Sequence, residues 1–324
     1  MMNRRSATAA LLTLVAAPGL ARAETRPAPG KIGYIHPRTV APDHTTLSIL
    51  RPVWQSLGYT IGETVLLRSA EDDPTRYPAL VAELVRLGAS VLVVVGPEAV
   101  RVAQKVASVP VVAIDLESDP VRAGFAQSYG RPGGNMTGLF LDQPSIAAKW
   151  IELLREAVPI VRRVALSYDP TTTPHQRDAA IAAARAQGLD TVVLELTPGT
   201  ARYERSFRDL GSGAATGIVQ LGSPAFGTVA ARFAAAAQQF KLPTIAFVRN
   251  AAKLGVLMTY GPVQEIYFRR AAVMADKILR GTPAGEIPIE GPDRFELAIN
   301  LKTAAAVGVK IPTTLVVLAD EVIE

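Results

Sequence analysis

At 324 residues, 49% hydrophobic and 19% charged, the chain has the make-up of a large packed globular protein and the length for two domains. It contains no cysteine, which excludes disulfides, thiolate metal sites, cysteine nucleophiles and lipid attachment through cysteine. The formal net charge is +5, but Arg4, Arg5 and Arg22 lie in the first 23 residues; without them 31 basic residues face 29 acidic ones, a balance of +2. No basic run carries interleaved aromatics either, so a nucleic-acid partner is set aside.

Residues 1–23 read as a cleaved export signal. Asn3-Arg4-Arg5 supplies a positive start, residues 7–20 an apolar run, and Ala21-Arg22-Ala23 the small-x-small form of a cleavage site, with processing after Ala23. The pair Arg4-Arg5 leaves the general and the twin-arginine export routes both open. The run is too short for a membrane span of roughly 20 apolar residues, and no other stretch approaches one, so the mature chain is expected to be soluble.

After a polar, Pro-rich leader over 24–30, residues 31–35 form a first short strand ending at His36-Pro37-Arg38. A helix follows from Asp43, with Leu47, Leu50, Val53, Trp54 and Leu57 at helical spacing and Gly58 at its end. Residues 65–67 are a second strand. A helix over 74–87 is stopped by Gly88. The stretch 90–115 then gives an apolar run, a Gly96-Pro97 turn, a helix-length segment and Pro110 before a second apolar run. This is a βαβ unit whose all-apolar runs suit parallel strands buried on both faces, and whose Gly-Pro pair suits a helix start.

The densest turn signal, at 130–135, precedes a strand over 136–141 that leads elsewhere. A helix over 145–157, a strand over 164–168 ending at Asp169-Pro170, a helix over 175–187 and a strand over 192–196 follow. From Gly217 the βαβ pattern returns, with Ser223-Pro224 as the turn and Pro243 before the second run. The second half repeats the strand-helix order of the first, so an ancestral duplication is inferred. A strand over 257–260, a long helix over 262–279 returning towards the first half, a Gly/Pro-rich surface connection over 281–294 and an alternating strand over 295–301 complete the chain. The predicted fold class is α/β, with two Rossmann-like lobes of parallel sheet and a cleft between them.

Several motifs, in order along the chain, resemble one family: Asp119-Pro120-Val121, Arg131-Pro132-Gly133-Gly134-Asn135-Met136-Thr137-Gly138, Tyr260-Gly261-Pro262, Asn300-Leu301-Lys302-Thr303 and Ala319-Asp320-Glu321-Val322-Ile323. It is the family of periplasmic substrate-binding proteins of ABC transporters that includes tryptophan and tyrosine importers. The resemblance covers almost the whole mature chain. It implies a type I periplasmic binding protein fold with three interlobe crossovers, a small ligand in the cleft, a permease partner in the inner membrane, a periplasmic location and a monomer. The expected division is a first lobe over 24–138, a second over 139–260, a returning helix over 261–285 and a closing segment over 286–324. Two features depart from the family pattern: His36-Pro37-Arg38 and Gly96-Pro97-Glu98 stand where many relatives carry small residues.

Loops at the carboxyl ends of strands face the cleft in such a fold, which nominates His36, Arg38, Gly96, Pro97, Glu98, Glu117 and Asp119 in the first lobe. In the second lobe it nominates Tyr168, Asp169, Ser223, Phe226, Phe247, Arg249 and Tyr260. Each also has a plainer reading: a solvated loop for His36 and Arg38, a favourable helix start for Glu98, turn formation for the two aspartates, core for the rings, a salt bridge for Arg249. Arg249 is the candidate to grip a carboxylate, giving an amino acid or another carboxylated, partly apolar ligand, with a sugar or polyol as the alternative. A sensory partner of a membrane receptor is the alternative role. No enzyme motif is complete, the three histidines (His36, His44, His175) have no metal-ligand spacing, and no cofactor is called for.

Overall fold

The computed structural model describes residues 30–39, 45–115, 119–140, 143–170, 172, 174–197, 202–223 and 226–324. In the first lobe the order is β1 (Lys31–His36), α1 (Thr45–Ser56), β2 (Val65–Ser69), α2 (Tyr77–Arg86), β3 (Ala89–Val95), α3 (Pro97–Val106), β4 (Val111–Asp115) and β5 (Met136–Phe140). In the second it is α4 (Gln143–Ala157), β6 (Arg163–Tyr168), α5 (Pro174–Ala186), β7 (Asp190–Glu195), α6 (Tyr203–Asp209), β8 (Thr216–Gln220), α7 (Ala230–Gln239), β9 (Thr244–Ala246), α8 (Asn250–Lys253) and β10 (Met258–Pro262). The chain ends with α9 (Gln264–Leu279), β11 (Phe295–Asn300), α10 (Leu301–Val307), α11 (Thr313–Leu318) and β12 (Glu321–Ile323).

The first sheet runs β2-β1-β3-β4-β5, all parallel. The second runs β7-β6-β8-β9-β10 in the same arrangement, then continues through antiparallel β11 to β12. The shared order is what a duplicated βαβ precursor leaves behind. Strands β4, β5 and β8 are buried along their whole length, because helices cover both sheet faces. Each lobe accordingly has two apolar clusters, one per face.

Three crossovers join the lobes: β5 leads to α4, β10 leads to α9, and the segment before β11 returns the chain to the second sheet. Tyr267, Phe268, Ala271, Met274 and Ala275 of α9 pack with Tyr34, Trp54, Val91 and Val112 of the first lobe. The connection over 281–294, read from its composition as a surface passage, is partly buried instead. Ala284, Ile287 and Ile289 are buried. The Phe140 amide donates to the Glu290 carbonyl at 3.1 Å, the Glu290 amide donates to the Gly138 carbonyl at 3.0 Å, and the Thr137 hydroxyl donates to the Ile287 carbonyl at 2.8 Å. β5 is an edge strand, and its outer backbone groups take the partners this segment offers.

The helix expected over 74–87 is split into a 3-10 turn at Pro74–Arg76, capped by the Asp73 carboxylate, and α2, which carries Pro78 in its first turn. After β8 a 3-10 turn, Phe226–Thr228, precedes α7, so that helix starts later than Ser223-Pro224 suggested. Asp43, the expected start of α1, lies outside the described residues.

The two strands that lead into crossovers share one device. A Cβ on Gly138, whose φ is +152°, would stand 2.1 Å from the Ala113 carbonyl oxygen of β4, and one on Gly261 would stand 2.2 Å from the Phe247 carbonyl oxygen. Only a missing side chain lets these backbones approach. Gly138→Ala is therefore expected to cost at least about 3 kcal/mol, lowering the denaturant midpoint with an unchanged slope. Gly227→Ala, where a Cβ meets open space, should leave the midpoint in place.

Candidate functional site

In an open parallel sheet the ligand crevice lies beyond the strand ends where the strand order reverses. In the first sheet that point is between β1 and β3, bringing His36, Pro37 and Arg38 beside Gly96, Pro97 and Glu98. In the second it is between β6 and β8, bringing Tyr168 and Asp169 beside Ser223. The two points face one another: the Arg38 guanidinium of the first lobe donates to the Thr228 hydroxyl of the second at 2.9 Å.

On the first-lobe side, His36 is buried with its ring 6.2 Å from Tyr34 and nearly parallel to it, and its Nδ1 accepts the Arg38 amide at 3.2 Å. Arg38 is also paired with Asp72 through Nε at 3.2 Å. Gly96 caps α3 with φ +91°, and a Cβ there would point into open space. Its amide donates a hydrogen bond to the Ile114 carbonyl at 3.0 Å, and Pro97 opens the helix where no amide hydrogen is needed. Glu98 lies close to Tyr77, whose phenol is pushed up to about 12 by burial, with Glu98 and Asp72 adding to the effect. Asp119 serves the turn: its Oδ1 accepts the amides of Val121 and Arg122 at 3.0 and 3.1 Å. Partial burial pushes this carboxyl up, but those amides and the Tyr129 hydroxyl outweigh it and hold it below the usual range. Glu117 lies outside the described residues.

The second-lobe side is a buried polar network. Ser223 donates to Asp169 Oδ2 at 2.6 Å, the Thr172 hydroxyl donates to the Asp169 carbonyl at 2.8 Å, and Tyr168 donates to the Thr172 carbonyl at 3.1 Å. Gln176, in the first turn of α5, donates to the Thr172 hydroxyl at 3.0 Å and to the Gly222 carbonyl at 2.8 Å. Gln220, at the end of β8, donates to the Leu221 carbonyl at 2.9 Å. The Arg177 guanidinium lies 5.2 Å over the Tyr168 ring and pairs with Asp178.

The remaining nominated residues are engaged elsewhere. Phe226 is in the core, edge-on to Phe233 at 5.2 Å. Phe247 is buried edge-on to Trp150 at 6.1 Å, and Tyr260 is half-buried and stacked on Phe295 at 5.4 Å. The Arg249 guanidinium donates to Glu321 at 2.8 Å and also pairs with Glu296, tying the start of α8 to the starts of β11 and β12; Lys253 reaches Glu321 as well. Desolvation pushes the Glu296 carboxyl up, whereas hydrogen bonds from Lys253 and Arg249 hold Glu321 down.

Asp72, Thr172, Thr228, Gln176 and Gln220 are additions to the sequence-derived set. Asp72 lies in the loop after β2 and satisfies the strand-end rule. Gln220 carries a fainter signal, a lone amide closing the apolar run Gly217-Ile218-Val219. A separate cavity of about 120 Å³, lined by Gln104, Phe125, Gly133, Asn135 and others, sits at the amino ends of β4 and β5, away from these crevices. Among the described residues no group of three or more His, Cys, Asp or Glu could hold a metal ion, and no helix is long and apolar enough to cross a membrane.

Comparison with known proteins gives a family match and a set of structural neighbours. The family described as "ABC transporter substrate binding protein" matches residues 50–323. A tyrosine-binding protein of Clostridioides difficile is 25% identical over 194 residues, 58% of this chain, and the match spans about half (54%) of that protein's length. Among solved structures, a conserved domain protein from Vibrio cholerae superposes with a TM-score of 0.80 at 19% identity, covering 91% of this chain and 99% of the other. An ABC domain from Streptococcus pneumonia in complex with L-Trp gives 0.78 at 19% identity, covering 90% and 100%. These are likenesses of fold: two parallel lobes of the type I periplasmic binding arrangement.

Two outcomes follow from the site's bonds. Thr228→Val removes the bond that spans the crevice, worth about 1 kcal/mol, and should shift the molecule towards an open form, read as a larger radius of gyration in X-ray scattering. Arg249→Ala should cost about 1–2 kcal/mol at neutral pH. The cost should shrink on acidification. Glu321, with its lowered folded value, stabilises above its unfolded value of 4.5 and loses that contribution as pH falls, while Glu296, with its raised value, loses its unfavourable charge in the same direction. Denaturation midpoints of both proteins from pH 7 to pH 4 check this; a constant gap would count against the assignment.

Proposed function

The chain belongs to the ABC transporter substrate binding protein family, and on that premise we propose that it is the exported receptor of an ABC importer. It takes a small molecule between its lobes in the periplasm and presents the closed form to a membrane permease. The supporting observation is the pairing of the two strand-order reversals across one crevice, with Arg38 of the first lobe bonded to Thr228 of the second.

The mechanism is a hinge equilibrium. Three backbone crossovers let the lobes rotate, and a ligand favours closure only by the amount that it binds both walls together better than either alone. His36, Gly96, Pro97 and Glu98 form the first wall; Tyr168, Asp169, Thr172, Gln176, Gln220 and Ser223 form the second. Arg249, Phe226, Phe247 and Tyr260 are assigned to the scaffold because their polar groups or rings already have protein partners. An amino acid is the first ligand class to try, since the relatives include a tyrosine-binding protein and a complex with L-Trp. No chemical step is part of this role.

The test is a thermal-shift screen of mature protein, refolded and dialysed, against amino acids, amines, carboxylates and sugars, followed by calorimetry on any hit. A ligand at 100 times its Kd should add about 2.7 kcal/mol to stability. Arg249→Ala should bind a hit with unchanged affinity, and Ser223→Ala should bind it more weakly. A flat response to the whole panel would overturn the receptor reading.

A further inference from the structure

The second wall has most of its side-chain hydrogen atoms engaged and oxygen atoms to spare. Both amide hydrogens of Gln176 are taken, by the Thr172 hydroxyl and the Gly222 carbonyl, and the hydroxyls of Ser223, Thr172 and Tyr168 each point to a protein oxygen. What remains is chiefly acceptor capacity. Gln176 Oε1 and Gln220 Oε1 are buried with no hydrogen-bond partner among the described residues, on residues 0% and 2% exposed. Their orientation is fixed by chemistry: a carbonyl only accepts, so the Gly222 and Leu221 carbonyls each require the amide nitrogen, and each oxygen must face the other way. A buried acceptor without a donor carries its full desolvation penalty, which a native fold tolerates where something else supplies the donor.

The cations around the crevice are committed in the same manner. Arg38 is held by Asp72 and Thr228, Arg177 by Asp178, and Arg249 by Glu296 and Glu321. A carboxylate arriving at the second wall would find acceptors there.

From this we infer that the ligand turns N–H or O–H donors, an ammonium or vicinal hydroxyls, towards Gln176 and Gln220, and that a carboxylate is not what the second lobe reads. The inference rests on the receptor reading given above and adds the polarity of the ligand's second-lobe face.

Calorimetry on the mature full chain tests it with matched probes: L-tyrosine, tyramine, which lacks the carboxylate, and 3-(4-hydroxyphenyl)propionate, which lacks the ammonium; the tryptophan, tryptamine and indole-3-propionate series; and D-ribose and D-galactose as hydroxyl donors. Binding by an amine or a sugar with at least tenfold weaker binding of the acid is expected, the amine and sugar arms distinguishing the two donor sources. Equal or tighter binding of the acid overturns the inference while the receptor reading stands. If no probe binds, the receptor reading fails in this form and takes the inference with it.

A second measurement uses a variant of the second wall. Gln220→Met removes the unpartnered oxygen together with the Nε2 bond to the Leu221 carbonyl, so the ligand-free Tm should fall by no more than the few degrees that one lost hydrogen bond accounts for, while affinity for the bound amine or sugar falls at least tenfold. Unchanged affinity in this variant would mean that the oxygen does not meet the ligand, and would overturn the inference.

Discussion

Strands buried on both faces can be connected only by helices that lie on those faces, and this constraint organises the whole molecule. The apolar runs at β3, β4 and β8 have no polar position along their length at which chemistry could sit, apart from their ends. All polar recognition is therefore displaced to the loops beyond the carboxyl ends, and duplication places two such sets opposite each other. The close approach of Gly138 to Ala113 and of Gly261 to Phe247 belongs to the same constraint. At each lobe's fifth strand the backbone must sit tight against its neighbour immediately before it leaves for the other lobe.

The two walls differ in kind. The first is built from a stacked histidine, a positive-φ glycine and a helix start, and carries charge on Arg38, Asp72 and Glu98. The second is a neutral and acidic hydrogen-bond network made rigid by its own internal pairs. A network held rigid by its own internal pairs loses little entropy when a ligand arrives, whereas a charged rim bonded across the crevice responds to opening and closing.

Much of this was legible in the residues. The repeated apolar run, Gly or Ser with Pro, helix and second run located the core of each lobe, and the strand-end rule placed His36, Gly96, Asp169 and Ser223 at or just beyond the carboxyl ends of their strands, where they lie. The rule fails where position along the chain does not fix what a side chain meets. Arg249 follows a strand as a binding arginine would, yet Glu296 and Glu321, 47 and 72 residues away, take its guanidinium. Phe226 follows another strand and turns inward, because a 3-10 turn rotates it onto Phe233. Gln176 and Gln220 read as an ordinary helix start and strand end; only the burial of their oxygens distinguishes them.

The return of α9 and the segment after it to the first lobe has a consequence for the order of events in the life of the chain. The first-lobe core needs Tyr267, Phe268, Ala271 and Met274, and its edge strand β5 needs residues 285–290, about 150 positions downstream of that strand. A growing chain that has produced β1 to β5 still lacks one layer of that lobe's apolar packing. The lobe cannot close until nearly all of the polypeptide exists, and contacts of such long separation form slowly. The topology thus delays the first lobe's compaction by its own wiring.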